Sequence, residues 1–429
     1  MKQIKSIEVF YHGTKVGTLS EYKERLTAFQ YTTKWLSDGF SISPFTLPLT
    51  EKVYFSNLEP FDGLFGVFED CLPDGWGRLL TDRMLRSNGI EPESLNNITR
   101  LSLLGANSKG ALEFVPCQLD KEDNSSIDFD VLYEQCTSIF ENIPEVSDYY
   151  DLFSMAGSSG GARPKAYVLT EGQPWIVKFP TTQDGPGIGQ MEYRYNCMAK
   201  QCGISTAEFK LLPSGKTPGF FASRRFDRKE SGERIHMISA GGLLEVSHRF
   251  PMLDYSHLLK LTNILTKDIR ETQEMYRLMC FNEMAHNRDD HAKNFSFLFD
   301  ETKSRWTLSP AYDLTYSNSV NGEHATTING NGRNPSEEDI IKVGTDSGLD
   351  RSWCRDTLET IKEAFPWNLS LSVQDRIALD DIMHARAERN TGIRGYDADS
   401  VLNEMEEILA VAEDGGGYGK TQGDSGNKG

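Results

Sequence analysis

Apolar and polar positions alternate early in the chain. Ile7 to Val16 alternate around a His12-Gly13-Thr14 turn, a pattern that predicts a β-hairpin. Between Gly39 and Gly66, Phe, Leu and Pro interleave, and Gly75 to about Leu85 is spaced as a helix. Residues 1 to about 120 are therefore expected to be β-rich with some helix. Asp120 to Ser126 is polar and charged and predicts a linker. Asp128 to Ile143 then repeats apolar residues at Val131, Leu132, Cys136 and Ile139, the spacing of a helix.

The pattern changes at Gly157-Ser-Ser-Gly-Gly161, a glycine-rich loop. Two short β-type runs follow, Ala166–Thr170 and Trp175–Lys178, joined by the turn Glu171-Gly-Gln-Pro174. Gln190 to Cys202 suits a helix that ends at Gly203. The second half is mainly helical, with one long helix expected over Thr266 to Ala285. A further helix is expected where Val401, Met405, Ile408 and Ala412 share a face behind an N-cap at Ser400. Asp414 to Gly429, Gly-rich and polar, predicts a disordered tail. No internal repeat is visible.

Composition narrows the classes. At 429 residues and 38% hydrophobic content, the chain has material for two or three cores. It carries 45 Lys+Arg against 63 Asp+Glu, a formal net charge of −18. Most of such a surface repels phosphate backbones, so direct non-specific nucleic-acid binding is not expected, save through a local patch such as Arg224, Arg225 and Arg228. Seven cysteines, an odd number without a C-x-x-C pair, read as reduced thiols. There is no apolar run of signal-peptide or membrane-span length. A soluble, cytoplasmic protein is expected.

The chemistry concentrates in His286-Asn-Arg-Asp289-Asp290-His291-Ala-Lys293-Asn294. This segment lies between a helix and an alternating run with Phe295, Phe297 and Phe299. A turn over Asp300 to Ser304 and a second run, Arg305 to Leu308, lead to Ser309-Pro-Ala-Tyr-Asp313. Phosphoryl transfer from ATP needs a carboxylate near the accepting hydroxyl, oxygen ligands for Mg²⁺ and a cation on the phosphates. Asp289 and Asn294 stand five positions apart, the spacing of the base and the metal-binding Asn in a kinase catalytic loop. A hairpin separates them from a second Asp, Asp313. Upstream, the glycine loop and the strand bearing Lys178 occur in the order kinases use, and Glu192 on the next helix is placed to pair with Lys178.

Singly, these features are weak. Lys178 also reads as a strand-end lysine, Asp313 as a turn residue and the glycine loop as a connection. The cluster of His286, Asp289, Asp290 and His291 has a functional rival, since these side chains are good ligands for a divalent metal. A metal-dependent phosphohydrolase is therefore the alternative, with His236, His248 and His257 as the nearby histidine supply. A catalytically silent scaffold is a third reading, opposed by the intact Lys178, Asp289, Asn294 and Asp313.

Asp289-x-His291-x-x-Asn294 followed by Tyr312-Asp313 resembles the HipA family of bacterial toxin–antitoxin serine/threonine kinases, and more remotely the phosphoinositide kinases. Phe61-Asp-Gly-Leu-Phe-Gly and Leu72-Pro-Asp-Gly-Trp-Gly-Arg78 resemble the family's N-terminal subdomain. Gly160-Gly-Ala-Arg-Pro-Lys165 is similar to its phosphate-loop region, and Arg225-Phe-Asp-Arg228 to its segment after the hinge. The resemblance covers nearly the whole chain except the tail. It implies an α+β, bilobed, protein-kinase-like fold with an extra β-rich N-terminal subdomain and a helical C-terminal lobe. The expected boundaries are residues 1–120 for that subdomain, 128–230 for the kinase N-lobe, 231–413 for the C-lobe and 414–429 for the tail.

By that resemblance Asp289 is the catalytic base, Asn294 and Asp313 hold Mg²⁺, and Lys178 contacts the ATP phosphates. His291 occupies the family's catalytic-loop histidine. Ser158, Ser159, Gly160, Gly161, Lys165 and Glu192 complete the nucleotide site. A self-phosphorylated loop serine falls at Ser158 or Ser159, with Ser154 a further candidate. The sequence departs from the family pattern with Arg163-Pro164 before Lys165, and with Arg224 where an acidic hinge residue is expected. The resemblance further implies a small helix-turn-helix antitoxin as partner, DNA binding only through that antitoxin, and a protein substrate in translation such as an aminoacyl-tRNA synthetase.

Overall fold

The structure, a computed structural model, describes residues 2–23, 25–105, 107–118, 128–140, 161–170, 172–181, 184–185, 187–317, 319 and 322–365. The expected linker over Asp120 to Ser126, the loop serines Ser154, Ser158 and Ser159, the helix after Ser400 and the tail all lie outside the described residues.

The N-terminal part is built on a five-stranded antiparallel sheet. Its strands are β1 (Ser6–Tyr11), β2 (Thr14–Tyr22), β3 (Leu26–Tyr31), β4 (Tyr54–Phe55) and β5 (Leu112–Val115), in the order β4-β3-β2-β1-β5. Alternation explains which face is buried: Ile7, Val9 and Tyr11 point inward with Leu19, Phe29 and Phe114, while Glu8 and Phe10 do not. The His12-Gly13 turn is the predicted one. It needs positive φ at both residues, 48° and 73°, and Gly13 supplies that without strain. Of the Phe- and Pro-interleaved stretch before Gly66, only Tyr54–Phe55 pairs as a strand.

A second antiparallel sheet follows, with β6 (Lys165–Thr170), β7 (Gln173–Lys178), β8 (Phe209–Leu212) and β9 (Phe220–Arg224) in the order β6-β7-β9-β8. The hairpin register sets Lys165 opposite Lys178, so both lysines emerge at one end of the sheet. Helix Ile188–Gln201 packs against β8 and β9. The core of this lobe is completed from the N-terminal part. Trp76 and Leu80 of helix Gly75–Ser87 cluster with Ala166, Val168, Trp175, Val177 and Phe220, whereas Met84 and Leu85 of the same helix belong to the larger core. That helix thus joins two cores, and truncating a buried tryptophan such as Trp76 costs about 3–5 kcal/mol.

The remainder holds the helices Tyr255–Thr266, Ile269–Met284, Glu337–Asp346 and Arg351–Glu363. It also holds a three-stranded sheet in which β12 (Ser296–Asp300) lies between β10 (Met237–Ser239) and β13 (Arg305–Leu308). A short parallel pair, β11 (Leu253–Asp254) with β14 (Thr326–Thr327), closes it. The helix expected over Thr266 to Ala285 begins only at Ile269. Thr266 ends the preceding helix, Lys267 turns left-handed with φ 54°, and Asp268 caps the new helix by accepting from the Arg270 amide.

Two lobes and the N-terminal part meet at Arg225 to Arg234. Arg225 donates to Asp227 at 2.9 and 2.7 Å, and Arg228 to the same carboxylate at 2.9 Å. The Gly110 amide donates to Asp227 as well, at 2.9 Å. Arg225 and Asp227 are buried, so removing Asp227 would leave the Arg225 charge buried without its carboxylate. Arg224 pairs with Gln173 on its own sheet and with Glu208 just before β8. The arginines that could have formed a basic patch are therefore engaged with protein partners.

Candidate active site

The site forms where the lysine end of the second sheet faces the turn after helix Ile269–Met284. Lys178, at the end of β7, donates to Glu192 on helix Ile188–Gln201 and to Asp313 at 2.5 Å. Glu192 is only 2% exposed, so its charge needs this partner. Burial works against the Lys178 ammonium, but Asp313 and Glu192 outweigh it and hold its pKa above the ordinary lysine value. Lys165 sits beside it with a different balance. Burial and the neighbouring Lys178 charge push its pKa down to about 8, against the pull of Asp313.

Asp313 follows the β12–β13 hairpin in a left-handed conformation, φ 54°. A non-glycine residue there stores strain, and such outliers cluster at functional sites. Burial would raise its pKa, but Lys178 and Lys165 prevail and hold the carboxyl well below the usual carboxylate range. Tyr312 beside it donates to the Lys293 carbonyl at 2.5 Å and shares a 2.6 Å hydrogen bond with Ser296. The Asp313 segment is thereby tied to the turn Ala292–Asn294.

That turn carries the remaining candidates. The Asn294 side-chain amide donates its N–H to the Asp289 backbone carbonyl at 2.7 Å, a bond that does not use its side-chain oxygen. Asp289 itself is exposed to the cleft. Although its surface is open to the cleft, partial removal from bulk water raises its pKa most; the His291 charge opposes that shift, while Asp313 and Asp290 add to it. His291 lies beside His248, ring centroids 5.5 Å apart.

The four-residue cluster read from the sequence does not converge. His286 stacks on Tyr316 at 5.1 Å. Asp290, 1% exposed, turns to the rear of the turn, where it accepts from the Tyr255 hydroxyl and His324 Nδ1, both at 2.8 Å. His324 Nε2 reaches Glu283 at 2.7 Å. Burial opposes the imidazolium, yet Asp290 and Glu283 raise its pKa to about 9, so His324 is charged at neutral pH. Of the other histidines, His236 is buried on the Ile42 carbonyl and His257 sits in the capping box of its helix. Among the described residues, the one grouping of His, Cys, Asp or Glu able to share an ion is the exposed set His12, Glu233 and Glu301, away from this cleft.

So Lys165, Lys178, Glu192 and Asp313 come together, and Asp289, His291 and Asn294 share the facing turn. Gly161 lies at the Lys165 ammonium, where an added Cβ would stand 2.9 Å from Nζ. Ser158, Ser159 and Gly160 are outside the described residues. Sequence reasoning missed His324 and Asp74. His324 lies in a polar stretch without periodicity, and Asp74 stood within a motif noted only for its resemblance.

A sheet-built lobe holding a Lys–Glu pair, set against a lobe whose turn and hairpin present Asp, Asn and Asp, is the bilobed architecture of a protein kinase. The chain belongs to the HipA family: residues 7–115 match the HipA N-terminal domain and residues 157–368 the HipA-like C-terminal domain. It is 24% identical over 353 residues to a Sinorhizobium fredii protein described as "Putative kinase Y4dM", covering 77% of this chain and 81% of that one. It is 22% identical over 341 residues to the serine/threonine-protein kinase toxin HipA of Shewanella oneidensis, covering 72% of this chain and 74% of that one. In structure it is similar to HipA in the Shewanella oneidensis complex with HipB and operator DNA, with a TM-score of 0.65, 20% identity, and coverage of 95% of this chain and 97% of that one. Among the described residues, no helix is long and apolar enough to cross a membrane.

Proposed function

We propose that this chain is a serine/threonine protein kinase that transfers the γ-phosphoryl group of ATP to a protein hydroxyl. The observation that carries the reading is Lys178 held between Glu192 and Asp313, opposite the turn bearing Asp289 and Asn294. A lone snorkelling lysine would not be buried between two carboxylates. Lys178 and Lys165 supply cationic contacts for the non-transferred phosphates. Asp289 accepts the proton of the acceptor hydroxyl as its oxygen bonds to the γ-phosphorus and the bond to the β-phosphate oxygen breaks, releasing ADP. Its raised pKa strengthens it as a base. The donor set fits Mg²⁺, because the Asp313 carboxylate and the Asn294 amide oxygen are hard oxygen ligands. When bound, the ion neutralises charge on the phosphate oxygens.

We extend this reading to a toxin–antitoxin role in the cytoplasm, with a HipB-like helix-turn-helix partner, DNA bound only through that partner, and an aminoacyl-tRNA synthetase as substrate class. Support comes from the relative named as a toxin and from the related HipA bound to HipB and operator DNA. The net charge of −18 and the internally engaged arginines favour DNA contact through a partner. Domain limits of 1–120, 128–230, 231–413 and 414–429, and self-phosphorylation at Ser158 or Ser159, belong to the same proposal.

The test is incubation with labelled ATP and Mg²⁺, using the wild-type chain, a Lys178→Met variant and a lysate as substrate source. Label transferred to protein by the wild type, and lost with Lys178, is the expected result. Release of phosphate to water without protein labelling, unaffected by Lys178, would favour a phosphohydrolase.

A further inference from the structure

The N-terminal part reaches the site through the turn Leu72-Pro-Asp-Gly-Trp76. Asp74, at the start of helix Gly75–Ser87, uses both carboxylate oxygens on the two lobes. Its Oδ1 accepts from the Gly161 amide at 2.6 Å, and its Oδ2 accepts from Lys293 Nζ at 3.0 Å. Gly161 closes the glycine run, and Lys293 immediately precedes Asn294 in the catalytic turn. The contact is reinforced from the backbone. The Trp76 amide donates to the Gly161 carbonyl at 2.9 Å, and the Trp76 indole donates to the Lys165 carbonyl at 3.2 Å.

Gly75 makes the approach possible. Its φ is +44°, and an added Cβ would lie 2.2 Å from the Gly161 carbonyl oxygen. Lys293 is held from its other end, since its carbonyl accepts from Tyr312, the neighbour of Asp313. Both charges of the pair are largely removed from solvent, at side-chain exposures of 9% for Lys293 and 15% for Asp74, so this is not a solvated surface pair.

We infer that Asp74 is a positioning residue for phosphoryl transfer: one carboxylate from the N-terminal part fixes Gly161 of the nucleotide-binding lobe against Lys293 of the catalytic turn, while the neighbouring Trp76 indole holds the Lys165 carbonyl. The inference rests on the kinase reading for its consequence and on geometry alone for the clamp. In-line transfer depends on the spacing between the phosphate cradle and the catalytic turn. An error of about 1 Å in such spacing costs on the order of 100-fold. The N-terminal part is therefore a working component of the catalytic machinery.

The two oxygens can be separated by experiment. Asp74→Asn keeps an acceptor for the Gly161 amide and removes the charge facing Lys293; Asp74→Ala removes both. Leu80→Ala, on the same helix but in the core, controls for simple destabilisation. In Asp74→Ala the KM for ATP is expected to rise about tenfold and kcat to fall about tenfold, the scale of a lost charge-assisted hydrogen bond at each end. Asp74→Asn is expected to lower kcat similarly while keeping KM near wild type. Leu80→Ala is expected to lower the melting temperature and leave both constants unchanged.

Amide hydrogen exchange reads the clamp without reference to catalysis. Exchange at the peptide containing Gly161 should accelerate at least tenfold in Asp74→Ala, and much less in Asp74→Asn. Unchanged exchange in Asp74→Ala overturns the clamp. Wild-type constants in Asp74→Ala, or matching losses in Leu80→Ala, overturn the positioning role. A wild-type chain with a protected Gly161 amide that transfers no phosphoryl group overturns the kinase reading while the clamp stands.

Discussion

The turn between residues 286 and 294 has two faces, and its adjacent carboxylates, Asp289 and Asp290, lie on opposite ones. On the rear face Asp290 is enclosed by Tyr255, His324 and the Thr326 amide, while Asn282 donates in turn to the Tyr255 hydroxyl. Its acceptor capacity is used by protein donors, as a buried charge requires. On the cleft face Asp289 is exposed, and its side chain is left to act on something that enters. Identical side chains, one position apart, thus separate into a buried fastener and a carboxylate left open to the cleft. The rear network fixes the turn so that the cleft face holds its shape.

Several measurements sharpen that contrast, and the largest effects belong to the cleft face. Lys178→Met leaves Glu192 and Asp313 facing each other without their shared cation. Phosphoryl transfer should fall by about 10³-fold or more, as positioning and electrostatics supply most of the catalysis in this reaction class. Steady-state labelling measures the loss, and a folded variant with near-normal rates would break the assignment of the cleft.

On the rear face, His324→Leu strands the buried carboxylate of Asp290 and the half-buried one of Glu283. It should cost about 3 kcal/mol of stability in denaturant titration. The pH dependence has a definite sign. The folded pKa of His324, about 9, lies above the ordinary histidine value of 6.5. Its stabilisation is therefore complete below pH 6.5 and disappears as pH rises through 9. The wild type should lose stability over that window more steeply than the variant.

A smaller effect belongs to Lys165, which loses its charge near pH 8. Since the charged form favours phosphate, the KM for ATP should rise roughly tenfold between pH 7 and 9. In Lys165→Arg that rise should leave the range, because arginine stays charged. A KM independent of pH in the wild type would remove Lys165 from the phosphate contacts.

Much of this was legible in the sequence because the signals were local. The His12-Gly13 hairpin, the Lys165–Lys178 hairpin and the alternation at Phe295, Phe297 and Phe299 each follow from short-range periodicity. The order Lys178, Glu192, Asp289, Asn294, Asp313 was readable for the same reason, since fixed spacings along strands, helices and a hairpin carry it.

What escaped detection depends on contacts between distant segments. Nothing near Asp74 announces that its carboxylate meets Gly161, 87 positions away, and Lys293, 219 positions away. Asp290 looked like a partner of Asp289 because proximity in sequence says nothing about which side of a turn a side chain takes. The break at Lys267 was missed because Asp268 caps the second helix where apolar spacing alone ran on. Trp76 sits in the core of the second sheet although the chain around it belongs to the first part, so hydrophobic pattern could not allot it.

The division between the two faces is tested most directly by comparing Asp289→Asn with Asp290→Asn. Both remove one charge at nearly constant volume, and each variant needs only a phosphoryl-transfer rate and a melting temperature. Asp289→Asn is expected to reduce transfer by about 10³-fold while the melting temperature holds or rises slightly, because its carboxylate is ionised at a cost in the folded chain. Asp290→Asn is expected to lower the melting temperature by roughly 5 °C or more and, well below that temperature, to keep transfer within about tenfold of wild type. Near-normal transfer in Asp289→Asn, with the loss falling on Asp290→Asn, would contradict this account of the turn.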